Sequence, residues 1–314
     1  MAKIAITMGD PNSISPEIII KALNDLDLPE QNIIIVGASS VLNYYEQNFD
    51  LNLKKKYEVV EIPFNYEDIK IGSETKEAGD FSFLAIKKAC EMALEKKIKA
   101  IVTGPVSKFA MNLAGHHYSG QTEIIEKYIA TQGQKAEMLF IMDNLKILLL
   151  TRHVAIKELP KLLKKDFIVE KISCLDKEFK EKLHIESPSF ALCSLNPHAG
   201  ENGLFGDEEI KEYIPAIKEL KENGINIEGP FPSDGLFANI KKENSKRYDC
   251  YIASYHDQGL IPIKLLGMNS TVNTTIGLDT LRTSPAHGTA FDIAGKKIAD
   301  EASMISAINI AINQ

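Results

Sequence analysis

The sequence predicts an α/β protein of layered sheets and helices, on three observations. Short β-rich runs alternate along the chain with segments of helical apolar spacing. Two runs, "FALCSL" (190–195) and "CYIAS" (250–254), are apolar throughout, as in strands buried on both faces. Such runs break into turns marked by Gly and Pro, as in "AIVTGPVSK" (100–108).

In order, "KIAIT" (3–7) is the first strand, and "SISPEIIIKAL" follows it as a helix. Ser15 is placed as its N-cap, Pro16 at the first helical position and Glu17 in the first turn. "NIIIVG" (32–37) repeats the strand-then-turn pattern. Residues 78–97 have helical spacing and end in lysines, which suit a helix C-terminus. "SGQTEIIEKY" (119–128) opens another helix, and "EMLFIMDNLKILLLT" (137–151) reads as a hairpin turning at Asp143 and Asn144. "DEEIKEYIPAIKELKENG" (207–224) reads as one helix with acids first and Gly224 as its stop. The 314 residues suffice for two domains. Without a repeat or a Pro/Gly/Ser linker, the second is expected as an insertion.

Composition narrows the function. The chain is 44% hydrophobic and 25% charged, with a net charge of −7, and so lacks the basic excess of a nucleic-acid binder. A local basic pocket for a small anion remains compatible with that charge. No apolar run approaches the roughly 20 residues that cross a bilayer, and "MAKIAITMGD" lacks the long apolar core of a secretory signal. Cys90, Cys174, Cys193 and Cys250 lie far apart in apolar settings, which fits buried thiols in a reducing compartment. A cytoplasmic protein with no nucleic-acid or membrane partner is expected.

Three of the seven histidines share a context. His153 follows "ILLLTR", His198 follows "ALCSLNP" and His256 follows "YIASY", each just past an apolar run. Ligands of open α/β sheets bind beyond the carboxyl ends of strands. Three imidazoles delivered there form a known arrangement for a catalytic divalent metal. Their sequence spacing matches no local ligand motif, and for each alone the alternative is an inert, hydrogen-bonded loop histidine. Asp257, beside His256, is placed either to orient an imidazole or to accept a proton; its alternative is a turn aspartate.

Several groups suit an anion. Lys264 sits among apolar residues and Arg282 among turn formers, where its fork can grip a phosphate or carboxylate. Asn273 alternates with β-branched residues. Gln121 and Thr122 stand at a helix start, near free backbone N–H groups. A snorkelling lysine, a solvated arginine and plain capping chemistry are the alternatives.

The motifs "TMGDPNSISPEI" (7–18), "TGPVSK" (103–108), "SGQTE" (119–123), "LNPHAGENGLFGDEE" (195–209), "YHDQGL" (255–260) and "RTSPAHGTAFDIAGKKIAD" (282–300) span nearly the whole chain. In this order they resemble the 4-hydroxythreonine-4-phosphate dehydrogenase family of pyridoxal 5′-phosphate biosynthesis. The resemblance implies a two-domain α/β/α fold of the isocitrate/isopropylmalate dehydrogenase type, with the active site in the interdomain cleft. By analogy, residues 1–125 and 273–314 form one discontinuous domain. Residues 126–272 form an inserted one carrying the metal ligands and dimer contacts. It further implies metal-dependent NAD(P)-linked oxidation of 4-phosphooxy-L-threonine, followed by decarboxylation to 3-amino-2-oxopropyl phosphate.

The same resemblance implies His153, His198 and His256 as metal ligands, and substrate contacts at Gln121, Thr122, Lys264, Asn273 and Arg282. It also implies a homodimer with its active site at the subunit interface. Better-known bacterial members carry His where this chain has Gln121, which cannot titrate near neutral pH. No G-x-G-x-x-G follows the first strand. The segment 287–300 instead resembles the adenosine loop of the isocitrate and isopropylmalate dehydrogenases. That implies cofactor contacts at His287, Gly288, Ala290 and Asp292. A carboxylate at Asp292 accepts from a ribose 2′-OH and repels a 2′-phosphate, so NAD is expected over NADP. Imidazole ligands favour Zn²⁺ or Co²⁺ over Mg²⁺, and Asp257 is the expected base. The alternatives are a related dehydrogenase acting on another phosphorylated or acidic hydroxy compound, a phosphate acyltransferase of related fold, and a non-catalytic metal-stabilised dimer.

Overall fold

The computed structural model describes residues 3–240, 242 and 246–313. The chain divides into two compact units, Met1–Ala136 with Met268–Gln314, and Glu137–Gly267.

In the first unit the strands are β1 (Lys3–Thr7), β2 (Ile33–Gly37), β3 (Glu58–Glu61), β4 (Ile98–Thr103), β10 (Val272–Ile276) and β11 (Leu281–Pro285). Their order is β3-β2-β1-β4-β11-β10. All neighbours run parallel except the β10–β11 pair. β1, β2 and most of β4 are buried, in keeping with their mainly apolar composition. The helices Ser15–Asp25, Lys76–Leu94 and Ala302–Ile312 bury apolar faces, the first through Ile18, Ile19, Ile20, Ala22 and Leu23. The fully buried Glu17 accepts from the Ala299 amide and from Lys21, each at 2.9 Å, tying that helix to the chain's last loop.

Ser15 departs from its expected capping role. The N-cap position is Ile14, and the Ser15 hydroxyl instead donates to the Met8 carbonyl at 2.6 Å. That buried carbonyl lies just past β1, where it needs a donor. Ser13 takes over locally, its Oγ accepting from the Ser15 amide at 3.0 Å. The helix Lys76–Leu94 is capped by Thr75 and stops before the lysines expected to close it.

The second unit contains β5 (Glu137–Met142), β6 (Leu145–Leu149), β7 (Ser189–Cys193), β8 (Asn226–Phe231) and β9 (Cys250–Ala253), in the order β5-β6-β9-β7-β8. β5 and β6 form the expected antiparallel hairpin, with Asp143 left-handed at its turn. The other pairs are parallel, and β7 and β9 are buried as their composition requires. The expected single helix over 207–224 divides. Glu209–Tyr213 form a wider turn and Ile214–Glu222 an ordinary helix. Pro215 supplies no amide to an uninterrupted ladder. Gly224, at φ 79°, ends the segment as expected.

Cys90, Cys193 and Cys250 are buried thiols, and Cys174 is half-buried. Among the described residues no helix is long and apolar enough to cross a membrane.

Candidate functional site

In the first unit polar side chains of the neighbouring strands β4, β11 and β10 gather with the start of the helix Gln121–Ile129. β11 and β4 pair with Arg282 opposite Ile101, and β10 places Thr275 opposite Arg282. This puts the Arg282 side chain on the same face as Thr103, two residues past Ile101. Arg282 is only 2% exposed. Its Nε and Nη2 donate to Thr103 Oγ1 at 2.9 and 2.7 Å, Nη2 also donates to Gln121 Oε1 at 3.1 Å, and Nη1 reaches Thr275 Oγ1 at 3.5 Å. All these acceptors are neutral. Desolvation pushes the guanidinium pKa down to about 10, against a partial opposing effect of Glu123, and the group stays charged at neutral pH.

Gln121 is the first residue of the helix Gln121–Ile129, and its Nε2 donates to the Gly104 carbonyl at 3.1 Å. Both ends of its amide are therefore held by protein, with Oε1 facing the cation. Thr122 is buried in the same first turn. Asn273, on β10, leaves Oδ1 buried without a partner. A buried cation with only neutral partners, beside a helix N-terminus, is an electrostatic setting for a phosphate or carboxylate.

The cofactor-loop candidates lie in the same unit. The Thr289 carbonyl accepts from the Ile14 amide at 3.1 Å, fixing the loop against the turn that follows β1. Gly288 has open space where a side chain would stand. His287 Nδ1 lies 3.0 Å from the Gly288 carbonyl, and its Nε2 is buried without a partner. Ala290 is left-handed at φ 41°, and Asp292 is exposed. An orphaned buried imidazole nitrogen and an exposed carboxylate on one loop suit a nucleotide's hydroxyls.

Sequence reasoning passed over Asp10 in this turn. It is fully buried, accepts from the Asn12 amide at 2.9 Å through Oδ1, and leaves Oδ2 without a partner. Burial pushes its pKa up to about 7; the Asn12 bond opposes this and Glu74 adds to it. Thr103 was also passed over. The signals available were Thr103 at a strand end before Gly104-Pro105, and Asp10 as the acid of an Asp-Pro turn shortly after β1.

In the second unit His153 follows β6, His198 follows β7 and His256 opens the helix His256–Gly267 after β9. The rings of His153 and His256 are brought together, with centroids 5.7 Å apart. His256 Nδ1 lies 2.6 Å from Asp257 Oδ1, which leaves Nε2 as the ring's outward nitrogen. The His198 ring contacts Phe205, at 6.1 Å between centroids. Among the described residues no three His, Cys, Asp or Glu groups are clustered closely enough to hold a metal. Asp257 and Lys264 are both exposed on the helix His256–Gly267.

Comparison with known proteins follows this geometry. The family model for pyridoxal phosphate biosynthetic protein PdxA matches residues 7–311. The chain is 40% identical to 4-hydroxythreonine-4-phosphate dehydrogenase of Sulfurihydrogenibium sp. (strain YO3AOP1), over 99% of this chain and 98% of that one. It is 36% identical to D-threonate 4-phosphate dehydrogenase of Salmonella typhimurium (strain LT2), over 98% of each chain. A crystal structure of 4-hydroxythreonine-4-phosphate dehydrogenase from Klebsiella pneumoniae superposes with a TM-score of 0.86 at 36% identity, covering 99% of this chain and 97% of that one. The α/β fold expected from the alternating elements is thus shared with that structure. By the extent and identity of these matches, the chain belongs to the family of pyridoxal phosphate biosynthetic protein PdxA.

Proposed function

We propose that the protein oxidises the secondary hydroxyl of 4-phosphooxy-L-threonine, with NAD as hydride acceptor and one divalent metal ion as cofactor. The carbon-bound hydrogen leaves as hydride and the hydroxyl proton goes to a base. The resulting 2-amino-3-oxo-4-phosphooxybutanoate loses CO₂ to give 3-amino-2-oxopropyl phosphate, on the route to pyridoxal 5′-phosphate. The observation that carries the reading is Arg282, a buried cation whose hydrogen bonds all go to neutral oxygens. It supports an anionic substrate, and family membership supports the reaction.

In this reading Arg282, Thr122, Asn273 and Lys264 hold the phosphate or carboxylate, and Gln121 positions Arg282. His153, His198 and His256 would hold the divalent metal, Zn²⁺ or Co²⁺ rather than Mg²⁺, which would supply Lewis acidity. Asp257 holds the Nδ1 side of His256 and takes the proton. His287, Gly288, Ala290 and Asp292 hold the adenosine end of NAD, with Asp292 disfavouring NADP. The enzyme works in the cytoplasm as a homodimer with its active site at the subunit interface. The exposed Leu204 and Phe205, near His198, support a covering second copy.

A second reading is favoured by the relatives named D-threonate 4-phosphate dehydrogenase, at 36–39% identity. Threonine and threonate differ at C2, where one bears an ammonium and the other a neutral hydroxyl. The test is kcat/KM for NAD reduction with each phosphorylated substrate. Preference for 4-phosphooxy-L-threonine is expected, and preference for D-threonate 4-phosphate would replace the first reading with the second.

A further inference from the structure

The segment that leads into Gln121 is tied to the helix Lys76–Leu94. Asp80 and Phe83 stand one turn apart on that helix and so share a face. The His116 ring lies flat on Phe83, with centroids 3.7 Å apart and planes at 15°, and its Nε2 lies 2.7 Å from Asp80 Oδ1. The Tyr118 ring stacks on the same phenylalanine at 5.8 Å, and its hydroxyl accepts from Lys127 Nζ at 2.9 Å. Tyr128 meets Phe83 edge-on at 6.0 Å. Lys127 and Tyr128 belong to the helix Gln121–Ile129. One buried ring, Phe83, therefore joins that helix to the segment before it.

The helix Gln121–Ile129 needs this outside support because its own start is weakly fastened. Its N-cap is Gly120, which has no side chain to accept from the first-turn amides. The direction of the first turn then falls to whatever holds the chain on either side of it. On one side stand the two bonds of the Gln121 amide, to the Gly104 carbonyl and from Arg282. On the other stand the contacts of His116 and Tyr118. The His116 amide also donates to the Met111 carbonyl at 2.9 Å, and Gly115, at φ 90°, makes the bend just before it.

We propose that His116 and Asp80 are positioning residues for the substrate, holding the segment before Gln121 so that its amide meets Arg282 in the geometry that receives the substrate's phosphate or carboxylate. The inference rests on the proposed reading of Arg282 as the anion site. Both residues act through Gln121, and neither is assigned a contact with the anion. The Asp80 side chain is half exposed and that of His116 largely covered. Their pairing is therefore screened by water, and the effect of losing it is modest.

The test is calorimetric binding of 4-phosphooxy-L-threonine and of D-threonate 4-phosphate, which both carry the phosphate, to the full-length protein. Wild type is compared with His116→Ala, Asp80→Ala, Asp80→Asn, Gln121→Ala and the double variant His116→Ala/Gln121→Ala, with thermal unfolding measured alongside. His116→Ala is expected to weaken binding about threefold, within the roughly tenfold expected of losing the Gln121 bond itself. Asp80→Ala should act in the same direction, and Asp80→Asn, which keeps an acceptor oxygen, should restore binding. In the Gln121→Ala background, His116→Ala should have no further effect, because the side chain it positions is gone. Equal losses in both backgrounds, or a lower unfolding temperature with unchanged Kd, would overturn the proposal and leave His116 a structural anchor. Unchanged Kd in Gln121→Ala, or no binding by wild type, would instead remove the anion reading, and the inference with it.

Discussion

Thr103 Oγ1 accepts two hydrogen bonds from Arg282, 2.9 Å from Nε and 2.7 Å from Nη2. One hydroxyl oxygen therefore closes one edge of the guanidinium, and the remaining Nη1 reaches Thr275 Oγ1 at 3.5 Å. Replacing Thr103 by Val keeps the shape and leaves two buried donors unpaired. The expected outcome is a loss of about 1–3 kcal/mol in stability by denaturant unfolding, with KM for the phosphorylated substrate raised more than kcat is lowered. Thr103→Ser should restore both. A valine variant with unchanged KM would contradict a role in anion binding.

Gln121 bridges the same cation to the Gly104 carbonyl. Gln121→Ala should weaken substrate binding about tenfold, the scale of one charge-assisted hydrogen bond. The pH dependence of kcat should keep its shape, because an amide does not titrate. A lost limb in that profile would show a proton-transfer role that the hydrogen bonding of this side chain does not provide.

His256 Nδ1 and Asp257 Oδ1 are 2.6 Å apart. If Asp257 both orients His256 and accepts the substrate proton, Asp257→Asn has two separable effects. Zinc affinity should fall roughly tenfold, and kcat at saturating zinc should fall by 10²–10⁴. A fall in affinity alone, with full kcat at high zinc, would assign the base elsewhere.

Asp10 gives stability a pH dependence of calculable sign. Its folded pKa is raised from 3.8 to about 7 by burial, so between those values the folded chain holds a proton that the unfolded chain releases. The stabilisation is full below about 3.8 and is lost as pH rises through about 7. Relative to Asp10→Asn, wild type should lose up to about 1.4 kcal/mol per pH unit across that window. Unfolding free energies that run parallel in the two proteins would show that Asp10 does not titrate there.

Asp292 is exposed on the loop that follows β11. Asp292→Ser should lower the ratio of NAD to NADP efficiency at least tenfold, by removing the repulsion of a 2′-phosphate. An unchanged ratio would place the ribose contact at another residue.

Much of the fold was legible because its strands are buried on both faces. β7 and β9 declare themselves as continuous apolar runs, β1 and β2 as short β-rich runs before turns, and Asp143-Asn144 marks the hairpin turn. Local chemistry could not reveal what distant groups demand. Ser15 reads as a cap, yet its hydroxyl serves the Met8 carbonyl. Pro215 was visible, but its consequence, a wider turn over Glu209–Tyr213, depends on packing. In the candidate site, the positions of His153 and His256 past their strands were readable, and the structure brings those two rings together. The run of positive φ from His198 to Asn202 was not readable. Four of its five residues are not glycine, and Glu209, which accepts from the Leu195 and Asn196 amides ahead of it, lies well down the chain. Thr103 stayed hidden because its partner Arg282 is 179 positions away in sequence.

The central claim is a metal-dependent oxidation of a phosphorylated hydroxy amino acid, and one measurement meets it directly. NAD reduction with 4-phosphooxy-L-threonine would be followed for wild type and His256→Ala, each stripped by chelator and then resupplied with Zn²⁺, Co²⁺ or Mg²⁺. The account predicts turnover that disappears on chelation, returns best with Zn²⁺ or Co²⁺, and is absent from the variant at every metal concentration. Full turnover surviving both chelation and His256→Ala would contradict it.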